Sequence, residues 1–192
     1  MSGMLKRGPP GVFANCVIVA LATSMVLPSP SEAQQEQDEY RVKAAFLFHF
    51  AQLAQWPTAA LASANDHLNL CTFGEDPFGG ELEKTLEGKM IGPLPLRVRH
   101  VKEPPDVRGC QILFIAKGER KRAPALLQTV VHDPILTVGE TDDFIRQGGM
   151  ILLSVENERI RFEINLATTE RAGLKMSAKL LVLAKSVIRD QE

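Results

Sequence analysis

Aromatic side chains and cysteine are scarce in this chain: its 192 residues include one tryptophan, one tyrosine and three cysteines. No CxxC pair occurs, and the cysteines lack the CxxC and His spacing that would complete four ligands, which argues against a structural zinc site. An excess of one charge is missing too. Lys and Arg number 22 against 23 Asp and Glu, and a chain this close to neutral lacks the basic face that nucleic-acid binding requires. Beyond residue 27 no apolar run approaches the ~20 residues that span a bilayer. Internal repeats and low-complexity stretches are absent as well, so nothing marks a second core.

Catalytic and cofactor signatures are equally lacking. No GxGxxG turn follows the first predicted strand, and Gly79, Gly80 and Gly88 have neither the spacing of a phosphate loop nor the Lys and Ser/Thr that complete one. There is no GxSxG elbow, and Ser63, Ser154, Ser177 and Ser186 have no placed histidine partner. His49, His67, His100 and His132 are scattered at spacings that fit no metal motif and read as surface or half-buried residues. His49, on an apolar helix, is the one that could sense pH if desolvated. Glu75 and Asp76 follow a strand where a receiver domain carries its phosphoacceptor, but only Asn65 and Asp66 precede that strand, and the further acidic residues a receiver needs are missing. The chain therefore reads as a non-enzyme, with no cofactor and no metal set.

What is present begins at the N-terminus. Lys6 and Arg7 precede an uncharged, mostly apolar run from Val12 to Leu27, followed by Pro28, Ser29 and Pro30. Basic, apolar and polar regions in that order make a secretory signal peptide. Ser31 and Ala33 supply small side chains at the −3 and −1 positions, which places the cut after Ala33; a cut near Ala22 or Ser24, or an uncleaved anchor, are the alternatives. Residues 1–33 are thus read as leader and 34–192 as one exported α/β domain. Cys16 lies within the leader, so Cys71 and Cys110 remain, and an even pair outside the cytoplasm reads as one disulfide, with two buried thiols as the alternative.

In the exported part, residues 34–39 are a polar lead-in, with Asp38 as a candidate cap for a helix running from Tyr40 to Trp56 and stopped by Pro57. That helix carries Phe46, Leu47, Phe48, Phe50 and Leu53 around most of its circumference, so it is expected to be covered on two sides. Strands are expected over Leu68 to Phe73, Leu94 to Val101, Cys110 to Ala116 and Ile135 to Val138, with helices over Phe78 to Leu86 and Ala123 to Val131 and a helical turn over Asp142 to Gln147. Met150 to Val155 and Arg159 to Ile164 face each other across a short polar turn, a hairpin signal. An amphipathic helix from Lys175 to Ile188 is expected to close the chain. Buried strands alternating with helices imply a mainly parallel, three-layer, Rossmann-like sheet with a C-terminal antiparallel hairpin and a closing helix.

One polar cluster stands out: Arg159, Arg161, Glu163 and Asn165 alternate along the last strand, followed by Glu170 and Arg171. Period-two spacing puts the strand residues on one face. They form either a solvated edge or a recognition surface built on charge-assisted contacts.

Seven blocks together, YRVKAAFLFHF from Tyr40, CTFGEDPFG from Cys71, CQILFI from Cys110, PILTVGE from Pro134, GGMILL from Gly148, RFEIN from Arg161 and AGLKMSAKLL from Ala172, resemble the YfiR family. The resemblance spans nearly all of the exported domain. It implies a periplasmic regulator that binds the periplasmic sensor part of a YfiN-like inner-membrane diguanylate cyclase and holds it inactive, lowering cyclic-di-GMP and biofilm formation. It also implies a homodimer. Carried over by motif, the partner surface would comprise Arg161, Glu163, Asn165 and Arg171, with Leu174 as an apolar companion. The alternative is a periplasmic sensor module that captures a small molecule, for which the carboxyl ends of a parallel sheet are the natural place.

Overall fold

The computed structural model describes residues 32–62, 64 and 66–189, and these form one unit. The expected leader lies almost wholly outside them. Helix α1 (Glu32–Leu53) begins earlier than Asp38, because Gln and Glu are good helix formers and nothing in residues 34–39 breaks the run. Asp38 does not cap it but pairs with Arg41 one turn on, at 2.9 Å. Tyr40, Lys43, Ala44, Leu47, Phe50 and Ala51 recur at three- and four-residue intervals and are buried, so α1 presents a single stripe to the sheet. The flanking apolar residues are half-buried. Phe46 reaches Phe162, ring centroids 5.8 Å apart, and Phe48 lies under the Lys89 ammonium at 5.4 Å.

The chain then lays down β1 (Ala54–Gln55), α2 (Thr58–Ala62), β2 (Leu68–Phe73), α3 (Glu81–Leu86), β3 (Met90–Ile91), β4 (Leu94–Val101), β5 (Ile112–Ile115), α4 (Ala123–Thr129), β6 (Leu136–Gly139), β7 (Ile151–Glu156), β8 (Arg159–Asn165), α5 (Leu166–Arg171), β9 (Lys175–Met176), α6 (Ala178–Leu183) and β10 (Ser186–Ile188). Among the described residues, eight strands make the main sheet in the order β3-β4-β2-β5-β6-β7-β8-β10. The five neighbours β4, β2, β5, β6 and β7 run parallel, while β7 and β8 form the antiparallel hairpin, in register from Ile151–Ile164 to Glu156–Arg159. Its turn uses positive φ at Asn157 and Glu158, 49° and 60°, the backbone a two-residue hairpin prefers.

Side chains of alternate parity feed two cores. Leu70, Ile112, Phe114, Val138, Ile151, Leu153, Phe162 and Ile164 meet α1, α3 and α6 on one face. Cys71, Phe73, Leu113, Ile115 and Leu152 meet α4 and the buried Phe144 on the other. The cover expected on the flanks of α1 is supplied by α3 and α6. Phe144, 1% exposed, sits between Gly139 and Gly149, at both of which a Cβ would overlap its ring. Cys71 and Cys110 are bonded, Cα atoms 5.9 Å apart. The bridge links mid-β2 to the residue before Gln111 and β5, and both cysteines lie in the second core.

The C-terminus departs from a single closing helix. Lys175 and Met176 pair antiparallel with β1, α6 is six residues long, and β10 then adds to β8 in parallel, so β10 and not the hairpin forms that edge of the sheet. The Ser177 hydroxyl accepts the Leu180 N–H and starts the helix where the helical period of leucines begins. The Lys185 N–H is taken by the Phe162 carbonyl, which draws Val187 and Ile188, β-branched residues suited to a strand, into the sheet. Val182 and Leu183 are left exposed.

Candidate functional site

The outer half of the β7–β8 hairpin is uncovered on the face that carries the second core elsewhere. Arg159 and Arg161 are exposed there and Glu163 is half-buried, while Phe162 and Ile164, of the opposite parity, are buried under α1. Lys185, leading into β10, donates to Glu156 at 2.5 Å and to Glu163 at 3.4 Å. That hydrogen bond, with the charges of Lys185 and Arg161 nearby, holds the Glu156 carboxyl below its usual range. Arg159, Arg161 and Lys185 thus stand beside Glu156 and Glu163 on this face.

The five residues carried over by resemblance do not stay together. Arg161 and Glu163 share this strand face. Asn165 shares their parity but is wholly buried: its side-chain oxygen accepts the Thr168 N–H at 3.0 Å and its carbonyl accepts the Thr169 hydroxyl at 2.7 Å, so it is the N-cap of α5. Alternation reports which face a residue is on but not how deep the strand runs as it feeds a helix. Leu174 is 1% exposed and belongs to the first core. Arg171 is exposed in the last turn of α5, on the helix and not on the strand face.

A second place draws its residues from blocks that carry the family resemblance, Tyr40 and Lys43 from the first, Gly74 from the second and Glu140 from the fourth, although none of them was a candidate site residue. Strand order reverses at β2, which has β4 on one side and β5 on the other, and such a reversal opens a crevice beyond the carboxyl ends of the strands. Gly74, φ 96°, turns the chain there against the Glu119 side chain, where a Cβ would overlap it. Adjoining the crevice, a cleft of about 440 Å³ is lined by Glu36, Glu39, Tyr40, Lys43, Lys117 and Glu140 among others. Glu140, directly after β6 and with a side chain 3% exposed, is the hub. It accepts the Tyr40 hydroxyl at 3.0 Å, the Lys117 N–H at 2.8 Å and the ammonium of Lys43, which is itself buried and also pairs with Glu39. Burial first, and then the Glu140 charge beside it, pushes the Tyr40 phenol well above its ordinary value. An ion pair this dry adds little net stability compared with an apolar pair, and a perturbed phenol beside it in a crevice makes the place a candidate binding site. In the sequence Lys43 is also the last charged residue before a long uncharged stretch of helix.

Among solved structures, an ABC domain from Streptococcus pneumonia in complex with L-Trp is similar with a TM-score of 0.47 and 8% identity, over 63% of this chain and 55% of that one. A conserved domain protein from Vibrio cholerae O1 biovar eltor gives 0.47 and 8%, over 67% and 59%. The chain thus spans little more than half the length of either, and both likenesses are loose. The family comparison is of a different order, because the YfiR/HmsC-like model matches residues 40–185, from the buried Tyr40 at the cleft to the Lys185 that ties β10 to the hairpin. By that match over most of its length, the chain belongs to the YfiR/HmsC-like family.

Proposed function

We propose that the protein is a periplasmic repressor that binds the sensor domain of an inner-membrane diguanylate cyclase and lowers cyclic-di-GMP output. The observation that carries the reading is the family match over residues 40–185; the family is one of periplasmic, non-catalytic regulators of diguanylate cyclase signalling. Within the proposal, the leader is removed after Ala33, inside the first turn of α1, and the exported chain forms a homodimer to which the exposed Val182 and Leu183 lend apolar surface.

A repressor shifts its partner between two states only by its difference in affinity for them. The uncovered strand face with Arg159, Arg161 and Glu163 supports the partner contact, with Arg171 at its margin. Asn165 and Leu174 then serve by holding β8 and α5 in place, since neither reaches the surface. Pull-down from membranes with the purified protein tests the reading, and recovery of a diguanylate cyclase is the expected result. Glu163→Lys and Arg171→Glu are expected to relieve repression while leaving the melting temperature near that of the parent; normal repression by both variants overturns the surface assignment.

A second reading, capture of a small molecule, is favoured by one observation, the buried Tyr40–Glu140–Lys43 network in the cleft beside the strand-order reversal. The two readings are compatible, because a ligand held there could bias the repressor's affinity for its partner.

A further inference from the structure

His100, Glu83 and Asp76 come from three separate elements: the penultimate position of β4, the middle of α3 and the loop after β2. One ligand atom from each lies within 4.8 Å of the other two. The pairing β2–β4 sets His100 opposite Thr72, and the crossover through α3 brings Glu83 over the same spot. The Asp76 loop is anchored by Phe78, 2% exposed, whose ring packs edge-on to Tyr40 and Phe114 and whose N–H is accepted by Asp76 Oδ1 at 3.0 Å, which leaves the other carboxylate oxygen unengaged by that bond.

The imidazole is held from behind. Thr72 is wholly buried, and its hydroxyl lies 2.7 Å from His100 Nδ1, which turns Nε2 outward toward the Glu83 carboxylate, also at 2.7 Å. A histidine whose second nitrogen is fixed by a buried hydrogen-bond partner is the arrangement that orients metal-ligating imidazoles. An ordinary ion pair accounts for only part of the cluster. Two carboxylates converge on one imidazole, a nitrogen-and-oxygen donor set of the kind that surrounds a divalent cation. The side chains of His100 and Glu83 are 42% and 43% exposed, so water has access to complete a coordination shell.

The geometry points to a binding site for a divalent transition-metal ion of the zinc type, with His100 Nε2 and carboxylate oxygens of Glu83 and Asp76 as ligands and Thr72 as the positioning residue. The mixed nitrogen and oxygen donor set favours zinc over magnesium or calcium, which prefer oxygen alone. Asp76 also borders the crevice at the strand-order reversal, so a bound ion would stiffen the loop that forms its wall.

Titration of the tag-free purified protein with Zn²⁺, followed by calorimetry and by thermal melting, tests the site. One saturable equivalent is expected, with a zinc-dependent rise in melting temperature and no comparable response to Mg²⁺. His100→Ala and Asp76→Asn should each weaken binding by about tenfold or more, and Thr72→Val by roughly 10–100-fold. His67→Ala, which removes a half-buried histidine paired with Asp66, should leave it unchanged. Should His100→Ala itself unfold the chain, Thr72→Val and Asp76→Asn carry the test. No saturable zinc binding, a response to Mg²⁺ equal to that to Zn²⁺, binding unaffected by all three site variants, or binding lost with His67→Ala would overturn the assignment.

Discussion

Replacing both Cys71 and Cys110 with alanine removes a cross-link that closes a loop across 39 positions of sequence. On the chain-entropy relation a loop of that size restricts the unfolded chain by about 4 kcal/mol. For a domain of this size each kcal/mol is worth roughly 2–4 °C, so the variant should melt about 8–16 °C below the parent, and its guanidinium midpoint should fall in step. Alanine is the replacement of choice because both positions face the second core, where a serine hydroxyl would be buried without a partner. The structure adds a kinetic expectation. Cys71 is 0% exposed and Cys110 3%, so a thiol reductant reaches the bridge only when β2 and the loop before β5 open. Mass spectrometry of quenched samples in native buffer, run beside circular dichroism, should therefore show reduction lagging far behind that of an exposed disulfide. Equal melting temperatures for parent and variant, or fast reduction with the native spectrum intact, would refute this reasoning.

The only tyrosine in the chain makes a second measurement unusually clean. Because burial and Glu140 raise the Tyr40 phenol in the folded chain, the unfolded chain binds fewer protons above about pH 10, so stability is complete below that pH and declines as pH rises beyond it, by about 1.4 kcal/mol per unit from this group. Tyrosinate absorbance should appear only together with unfolding, and Tyr40→Phe should remove this share of the slope; a reversible midpoint near 10 in a chain that stays native would contradict it. Asn165→Ala, which removes the α5 cap, should cost about 1 kcal/mol in urea denaturation, and a stability gain would mean that the cap geometry does not matter.

The strands were legible because burial on both faces leaves a continuous apolar run, as in β5, and because a one-face hairpin alternates, as β7 and β8 do. The C-terminal segment was not, since Leu180, Leu181, Leu183 and Ala184 carry a helical period whether the helix has one turn or several. What ends it is a tertiary pairing of β10 with β8 that no local pattern encodes. The start of α5 does carry a signal, Asn165 ahead of a helix-compatible run, but strand parity at the last position of β8 points that residue to the surface, whereas it turns inward to cap the helix. On the uncovered face of β8 the sequence indicated the exposed Arg161 and the half-buried Glu163 and could not separate them from the buried Asn165 and Leu174. The cleft and the His100 cluster were out of reach for a simpler reason. Lys43 and Glu140 are 97 residues apart, and His100 meets Glu83 and Asp76 only because a crossover folds α3 over β4.

Phe144, wedged between two glycines, makes the segment from Gly139 to Gly149 behave as a plug and not as a flap. Its ends are stitched by the Phe144 N–H to the Thr141 carbonyl at 2.8 Å and by the Gly149 N–H to the Phe144 carbonyl at 2.9 Å. Glu140 is mounted on that plug, so one bank of the cleft is fixed. The opposite bank is the start of α1, where Glu36 is exposed and Glu39 half-buried. Lys43, buried and paired with both Glu39 and Glu140, ties this bank to the fixed one.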